Sequence, residues 1–177
     1  NKGRVSVAAF NGARNTVISG EQDVVADICT ELKTRGIVSR NLPVSHAFHS
    51  ALMEPMLLGF EKVLGKTRFL NPKIPLLSNL TGEVVGEEIT GVSYWCRHVR
   101  EPVHFEKSMV SLERLGCDAV IEVGPHPTLL TMGASCVPKN DLWLPSLKRS
   151  KVDVEIFLSS LARLSVEGAD LTASACL

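Results

Sequence analysis

The chain has 177 residues, of which 45% are hydrophobic and 21% are charged, so the composition predicts a soluble globular protein and excludes a disordered one. Its 19 basic and 19 acidic residues cancel, which argues against nucleic acid or an anionic membrane as a partner. No hydrophobic run approaches the ~20 residues of a membrane span. The five cysteines form no C-x-x-C pair, so disulfides and a zinc site are not expected, and a reducing, cytoplasmic setting is favoured.

The first part of the chain predicts a small α+β layer. Val5, Val7 and Ala9 alternate as in a half-buried strand, and Asn11-Gly12 is a strong turn signal. The elements that follow are predicted as a strand at residues 15–19, a helix at 21–35 and a strand at 37–44. This order fits a helix packed on one face of a small sheet.

Residues 44–53 join extended chain to a helix and contain two histidines, His46 and His49. Pro43 keeps the preceding residues extended, and Ser50 can cap a helix that runs to about residue 65. A histidine at such a junction can be held by the start of the helix and still face a cleft, where a general base is useful. The two histidines could also imitate a metal pair, but no ligand cluster of matching spacing accompanies them, so no metal is expected.

The second half of the chain alternates between strand and helix patterns. The predicted elements are a strand at 74–78, a turn at 81–83, helices at 93–99 and 105–115, a strand at 119–123, a short helix at 128–136 and a final helix at 154–166. Such alternation predicts an α/β layer with a parallel sheet. Residues 124–127 (GPHP) predict a rigid turn, and residues 137–151 have the composition of a tether between domains.

Four stretches, in chain order, resemble the acyltransferase domains of modular type I polyketide synthases, which are malonyl-CoA:acyl-carrier-protein transacylase-like. They are VSVAAFNGARNTVISG at 5–20, VSHAFHSALM at 44–53, YWCRHVREPVHF at 94–105 and IEVGPHPTL at 121–129. With LPSL at 144–147, the resemblance spans nearly the whole chain. It identifies the chain as the C-terminal portion of such a domain.

The resemblance implies an α/β fold in three parts. Residues 1–47 would form part of a ferredoxin-like α+β small subdomain, and residues 48–137 the C-terminal part of an α/β-hydrolase-like acyltransferase core. Residues 138–177 would form the helical linker that follows the acyltransferase. The implied partners are an acyl carrier protein and the adjacent ketosynthase and linker domains of the same megasynthase.

The resemblance also implies an acyl transfer in two halves, through a serine ester, to the phosphopantetheine thiol of the carrier protein. His49 matches the family's general base, and the backbone carbonyl of His98 matches the group that orients it. No bound cofactor is implied, and malonyl-CoA is the substrate. The nucleophilic serine belongs to a G-x-S-x-G elbow, which neither Gly91-Val92-Ser93 nor Gly133-Ala134-Ser135 completes. The serine and the carboxylate-binding arginine are therefore expected upstream, and the chain alone should not turn over.

Three further residues are implied in substrate binding, namely His46, Phe48 and Asn11. In the family, His-Ala-Phe-His accompanies malonyl units and Tyr-Ala-Ser-His accompanies methylmalonyl units. Phe48 would fill the volume that a methyl group needs, although it could equally be a core aromatic. Two alternatives stay open for the function, namely a malonyl transacylase of fatty acid synthesis and a non-catalytic docking or scaffold fragment.

Overall fold

A computed structural model describes residues 3–139 and 142–171 of the chain. The chain divides into two compact units, of which the first ends at Ser111 and the second begins at Leu112. The boundaries expected after residues 47 and 137 concern the parts of a complete acyltransferase domain, and they stay predictions. Within the described residues, no helix is both long enough and apolar enough to span a bilayer.

The first unit is a β-hairpin followed by helices. Its elements are β1 (Val5–Gly12), β2 (Asn15–Gly20), α1 (Gln22–Thr34), a 3₁₀ turn (Ala51–Met53), α2 (Glu54–Leu64), a second 3₁₀ turn (Glu87–Thr90), α3 (Val92–Arg100) and α4 (Phe105–Arg114), whose last residues belong to the second unit. The helices agree with the predicted ones to within a few residues at each end. Their apolar spacing and their stop signals are local features, and the sequence displays both.

The hairpin turn lies two residues later than the sequence indicates. The strands β1 and β2 are antiparallel from Val5 opposite Gly20 to Gly12 opposite Asn15, so the turn is residues 13–14 and the predicted turn at Asn11-Gly12 is wrong. Irregular register near Phe10 absorbs the extra residue. On its other edge β1 pairs with Val103, which donates its N–H to the Ala8 carbonyl and accepts the N–H of Phe10 (both 2.8 Å). Pairing on both sides keeps Asn11 in the strand.

The strand predicted at residues 37–44 is wrong, because that stretch has no regular secondary structure. Its apolar side chains are exposed, and Val38 is 84% exposed. A strand needs a neighbour for its backbone groups, and in the described chain residues 37–44 have no strand beside them. The pattern of these residues predicts an extended chain, but it does not identify the neighbouring strand that a sheet requires.

The strand predicted at residues 74–78 is reduced to one antiparallel bridge, between Leu77 and Val84. The turn predicted at residues 81–83 is confirmed, with Gly82 donating its N–H to the Ser78 carbonyl at 2.7 Å. Gly82 has φ 79°, and a Cβ placed there would lie 2.5 Å from the Cβ of Lys107. Glycine is therefore required at this position by backbone conformation and by space.

The second unit contains a two-stranded parallel sheet and two helices. Its elements are β3 (Val120–Glu122), α5 (Leu130–Cys136), β4 (Trp143–Pro145) and α6 (Asp153–Val166). The pairing of β3 with β4 is parallel, as predicted for an α/β layer, but β4 was not among the predicted strands. The strand β4 falls in the stretch expected to be a tether. Its Leu144 is only 1% exposed, and Pro145 accepts a hydrogen bond from Ser160 of α6 at 2.8 Å.

The GPHP turn is held by the carboxylate of Glu122. This side chain accepts the backbone N–H groups of Thr128, Leu129 and Leu130, each at 2.9 Å. Ser146 adds a bond from the Gly124 N–H to its hydroxyl oxygen at 2.9 Å. The turn predicted from its prolines is thus fixed by side chains as well.

Candidate active site

The site is built on the junction between residues 44–50 and α2. Ser50 is only 1% exposed, and its hydroxyl donates to the Ala47 carbonyl at 2.6 Å and accepts the Leu52 N–H at 3.2 Å. It caps the 3₁₀ turn that leads into α2, as the sequence predicts. Pro55 lies in the first turn of α2, where its missing N–H costs nothing. Position 49 is therefore fixed from its C-terminal side.

His49 has an unusual backbone conformation, with φ at 62°. Left-handed backbone in a residue that carries a Cβ costs about 1–2 kcal/mol. The backbone N–H of His49 donates to the carbonyl of Val99, near the end of α3, at 2.9 Å. The strain is thus held in place by a bond to a distant helix, and strain of this kind concentrates at functional sites.

The ring of His49 is oriented by a backbone carbonyl, and that carbonyl belongs to Glu101. The distance from His49 Nδ1 to the Glu101 oxygen is 2.8 Å. A carbonyl oxygen only accepts hydrogen bonds, so Nδ1 carries the proton and Nε2 of the neutral ring is the acceptor. This is the tautomer that a general base needs when it takes a proton through Nε2.

The assignment of the orienting carbonyl to His98 is therefore wrong. His98 lies inside α3, where carbonyls point along the helix axis. Glu101 is the first residue beyond the helix, and Pro102 keeps it extended, with φ −91° and ψ 158°. Its carbonyl turns away from the axis and meets the ring of His49. The Glu-Pro pair in REPVHF is the feature of the sequence that could have identified this residue.

The side chain of His98 forms part of the wall beside His49. The centroids of the two imidazole rings are 6.3 Å apart, and His98 also lies 6.1 Å from the rings of Tyr94 and Trp95. Burial, and secondly the proximity of His49, lower the pKa of His98. His98 is therefore neutral at neutral pH and adds no charge beside the candidate base.

A small apolar core supports α3 behind the site. It comprises Leu80, Val85, Ile89 and Tyr94, with Trp95 packed against it. The hydroxyl groups of Tyr94 and Ser78 lie 2.7 Å apart, and the Trp95 Nε1–H donates to the Ile89 carbonyl at 2.9 Å. The helix that carries Val99 and leads to Glu101 is thus anchored by packing and by hydrogen bonds.

Two ion pairs lie at the end of α3. Arg97 makes a two-pronged contact with the Glu101 carboxylate, at 2.7 Å from Nε and 3.0 Å from Nη2, and Arg100 Nε lies 3.0 Å from a carboxylate oxygen of Glu54 at the start of α2. The Arg97 guanidinium lowers the pKa of the Glu101 carboxyl, so this carboxylate is ionised at neutral pH. The sequence indicated a role for neither pair.

The structure brings two of the implied binding residues together beside His49. His46 is exposed, with Nδ1 2.9 Å from the hydroxyl of Ser45, and its ring meets that of Phe48 edge-on at 6.2 Å. Phe48 is 49% exposed, so it is not a core aromatic in the described chain. Asn11 is half-buried in β1, next to Phe10, whose ring stacks on His104 at 5.3 Å. Its binding role stays a prediction.

Across residues 3–139 and 142–171, no group of three or more His, Cys, Asp or Glu side chains could hold a metal ion. The chemistry that the geometry offers is that of one oriented imidazole, whose Nδ1 is bonded to the Glu101 carbonyl. Such a group can take up a proton from a hydroxyl or a thiol and return it to a leaving group.

Comparisons with known proteins point to one family. The model of the acyl transferase domain family matches residues 1–171. The chain is 36% identical over 172 residues to the spectinabilin polyketide synthase system protein NorB of Streptomyces orinoci, covering 94% of this chain and 8% of that protein. It is 41% identical over 135 residues to the polyketide synthase GfsA of Streptomyces halstedii, covering 76% of this chain and 2% of that protein.

Among solved structures, the acyltransferase domain from the second module of the salinomycin polyketide synthase superposes with a TM-score of 0.88 at 40% identity, covering 96% of this chain and 40% of that one. The chain thus spans well under half of the structure and of the synthases that it matches. The agreement in sequence, fold and family model is nonetheless continuous over nearly all of its residues. The chain belongs to the acyltransferase domain family of polyketide synthases and malonyl-CoA:acyl-carrier-protein transacylase-like proteins.

Proposed function

We propose that the chain supplies the general base and part of the acyl pocket of an acyltransferase domain in polyketide synthesis. The domain would move a malonyl group from malonyl-CoA, through a serine ester, to the phosphopantetheine thiol of an acyl carrier protein. The observation that carries the proposal is the bond from His49 Nδ1 to the Glu101 carbonyl, because it makes Nε2 the proton acceptor. No cofactor bound to this chain is required.

In the first half of the reaction, His49 Nε2 takes the proton of the serine hydroxyl as its oxygen attacks the thioester carbonyl of malonyl-CoA. The tetrahedral intermediate collapses, the carbon–sulfur bond breaks, and the imidazolium returns the proton to the departing CoA thiolate. The Glu101 carbonyl keeps accepting from Nδ1–H throughout, so it stabilises the imidazolium while that cation exists.

The second half repeats these proton transfers with a thiol as nucleophile. His49 Nε2 takes the proton of the phosphopantetheine thiol, and the thiolate attacks the ester carbonyl. The bond to the serine oxygen then breaks, and the imidazolium protonates that oxygen. One fixed position of the His49 ring serves both halves of the reaction. The serine oxygen is the attacking atom in the first half and the leaving atom in the second, and it would occupy the same place in both.

The serine is proposed to come from a part of the domain outside this chain. No G-x-S-x-G elbow occurs in residues 1–177, and an ordinary surface serine is a weak nucleophile without such an exposed turn. The same holds for the arginine that would bind the free carboxylate of the malonyl group. The chain by itself is therefore proposed to be inactive.

Selection of malonyl units is proposed to rest on Phe48, with His46 and Asn11 as further pocket residues. The half-exposed ring of Phe48 lies one residue before the base, which suits a wall of an open cleft better than a place in a core. Rejecting a single methyl group by packing is worth about 1–3 kcal/mol, so the selection would be incomplete.

The fatty acid alternative has some support from structure. The malonyl CoA-acyl carrier protein transacylase of Clostridium perfringens superposes with a TM-score of 0.80, but its identity is 27%, against 40% for the salinomycin domain. The polyketide setting, with neighbouring ketosynthase and linker domains, is therefore preferred. A docking or scaffold fragment would have no use for a ring held in one tautomer, so that alternative is the weakest.

Intact-mass measurement tests the proposal. The complete domain, incubated with malonyl-CoA, should gain one malonyl group and then lose it to added phosphopantetheinylated carrier protein. The chain alone, under the same conditions, should gain nothing. A stoichiometric adduct on the chain alone would place the nucleophile inside it, and a complete domain that stays unmodified would refute the acyltransferase function.

A further inference from the structure

Arg97 and Glu101 are joined at three points around the end of α3. Besides the two side-chain contacts, the backbone N–H of Glu101 donates to the Arg97 carbonyl at 2.7 Å. A second pair of the same i,i+4 type, Arg35–Glu31 at the end of α1, has one side-chain contact, at 2.5 Å. The two-pronged arrangement fixes the direction of a planar guanidinium as well as its distance.

The residue that Arg97 holds is the one whose carbonyl orients the candidate base. Glu101 presents its carboxylate to Arg97 and its carbonyl oxygen to His49 Nδ1. Both groups branch from the same Cα, so a restraint on the side chain limits rotation of the peptide that carries the carbonyl. Pro102 restricts this peptide from the other side, and Val103 is paired with β1.

We propose that Arg97 and the side chain of Glu101 are positioning residues, which hold the Glu101 carbonyl against Nδ1 and so keep Nε2 of His49 ready to accept a proton. This inference rests on the proposed function, since it assumes that His49 is the base. The pair acts through the backbone, and neither side chain is required to touch the substrate.

The pair is partly exposed, with 58% of the Arg97 side chain and 40% of the Glu101 side chain accessible. An exposed ion pair shifts the equilibrium between orientations of the Glu101 carbonyl only modestly. We therefore expect the rate of serine acylation to fall by about two- to five-fold when the pair is broken. The loss should appear in kcat and leave the KM for malonyl-CoA unchanged, because the substrate makes no contact with the pair.

The test compares Glu101→Gln, Arg97→Met and the exchanged pair Arg97→Glu/Glu101→Arg in the complete domain. Arg35→Met, which breaks the other i,i+4 pair, is the matched control. Each variant is assayed for acylation with malonyl-CoA, and the tautomer of His49 is followed by ¹⁵N chemical shifts of its ring. We expect both single variants to lose rate and Nδ1–H tautomer, the exchanged pair to regain both, and the control to match the parent.

Three results would overturn the proposal. One is an unchanged tautomer and rate in a folded Glu101→Gln protein, which tests the idea even if Arg97→Met fails to fold. Another is a raised KM at constant kcat, which would make Arg97 a ligand of CoA. The third is an exchanged pair as slow as the single variants. A parent domain that does not acylate would instead refute the proposed function, while the tautomer measurement would still decide the positioning role.

Discussion

Replacing His49 by asparagine in the complete domain should remove acylation and leave the fold intact. Asparagine is chosen because its backbone adopts left-handed conformations more readily than that of most residues, and position 49 has φ 62°. The backbone bond from position 49 to the Val99 carbonyl is retained in this variant. The substitution therefore removes the ring and little else.

The expected magnitudes follow from the contacts that are lost. Loss of the ring bond to Glu101 costs about 1 kcal/mol, and the easier backbone conformation of asparagine offsets part of it. The free energy of unfolding should thus change by less than about 1 kcal/mol. Loss of a general base lowers the rate by about 100- to 10,000-fold. We therefore expect a large loss of activity with little change in the free energy of unfolding.

The assay is malonyl-CoA acylation followed by intact mass over time, with urea unfolding of the same samples. His126→Asn is the control, because His126 is an exposed histidine of the GPHP turn. His49→Val adds a second comparison: a β-branched residue at positive φ should be inactive and also lose about 1–3 kcal/mol of stability. Acylation by His49→Asn at the parental rate would refute the assignment of the base.

Three further results are expected of the complete domain. Phe48→Ser should raise the methylmalonyl-to-malonyl ratio of kcat/KM by up to roughly 10–200-fold, measured with both acyl-CoAs in competition; an unchanged ratio contradicts the pocket role. The lowered pKa of His98 should cost stability as pH falls below about 6.5, because unfolded His98 binds protons first, and His98→Gln should lessen that loss in urea titrations. Glu122→Gln should lower the free energy of unfolding in urea by about 1–3 kcal/mol, because an acceptor for the backbone N–H groups of Leu129 and Leu130 is lost; an unchanged midpoint would show that these hydrogen bonds contribute nothing.

Local signals predicted the helices and the Ser50 cap, whereas the choice of His49 as the candidate base came from the family resemblance. The apolar spacing of residues 54–64, the hydroxyl of Ser50 and the tolerated Pro55 are all legible from neighbours in sequence, and the structure places them as expected. The strand at 37–44 was predicted on equally local grounds and is wrong. A helix satisfies its own backbone, whereas a strand depends on a partner that its own residues do not specify.

Contacts between distant residues were the part that the sequence did not show. The strand β4 exists because Leu144 pairs with Ile121 of β3, whereas the sequence of residues 143–145 by itself is typical of a loop. The hairpin turn was misplaced by the same kind of cause, since pairing of β1 with Val103 and with β2 outweighed the strong local preference of Asn11-Gly12.

The orienting carbonyl shows the limit of motif transfer most clearly. A motif match identifies a segment, here residues 94–105, but a hydrogen bond selects one atom within it, and that choice depends on where α3 ends. Glu101 is 52 residues from His49, so their meeting is a property of the fold. Proline at position 102 ends the helix, and the extended residue before it is the one whose carbonyl is free to turn. A replacement of Pro102 by alanine that let α3 continue would move that carbonyl onto the helix axis and take it away from Nδ1. His49 would keep its place at the junction and lose its tautomer, so in this site the position of the histidine and the tautomer of its ring are set by different parts of the chain.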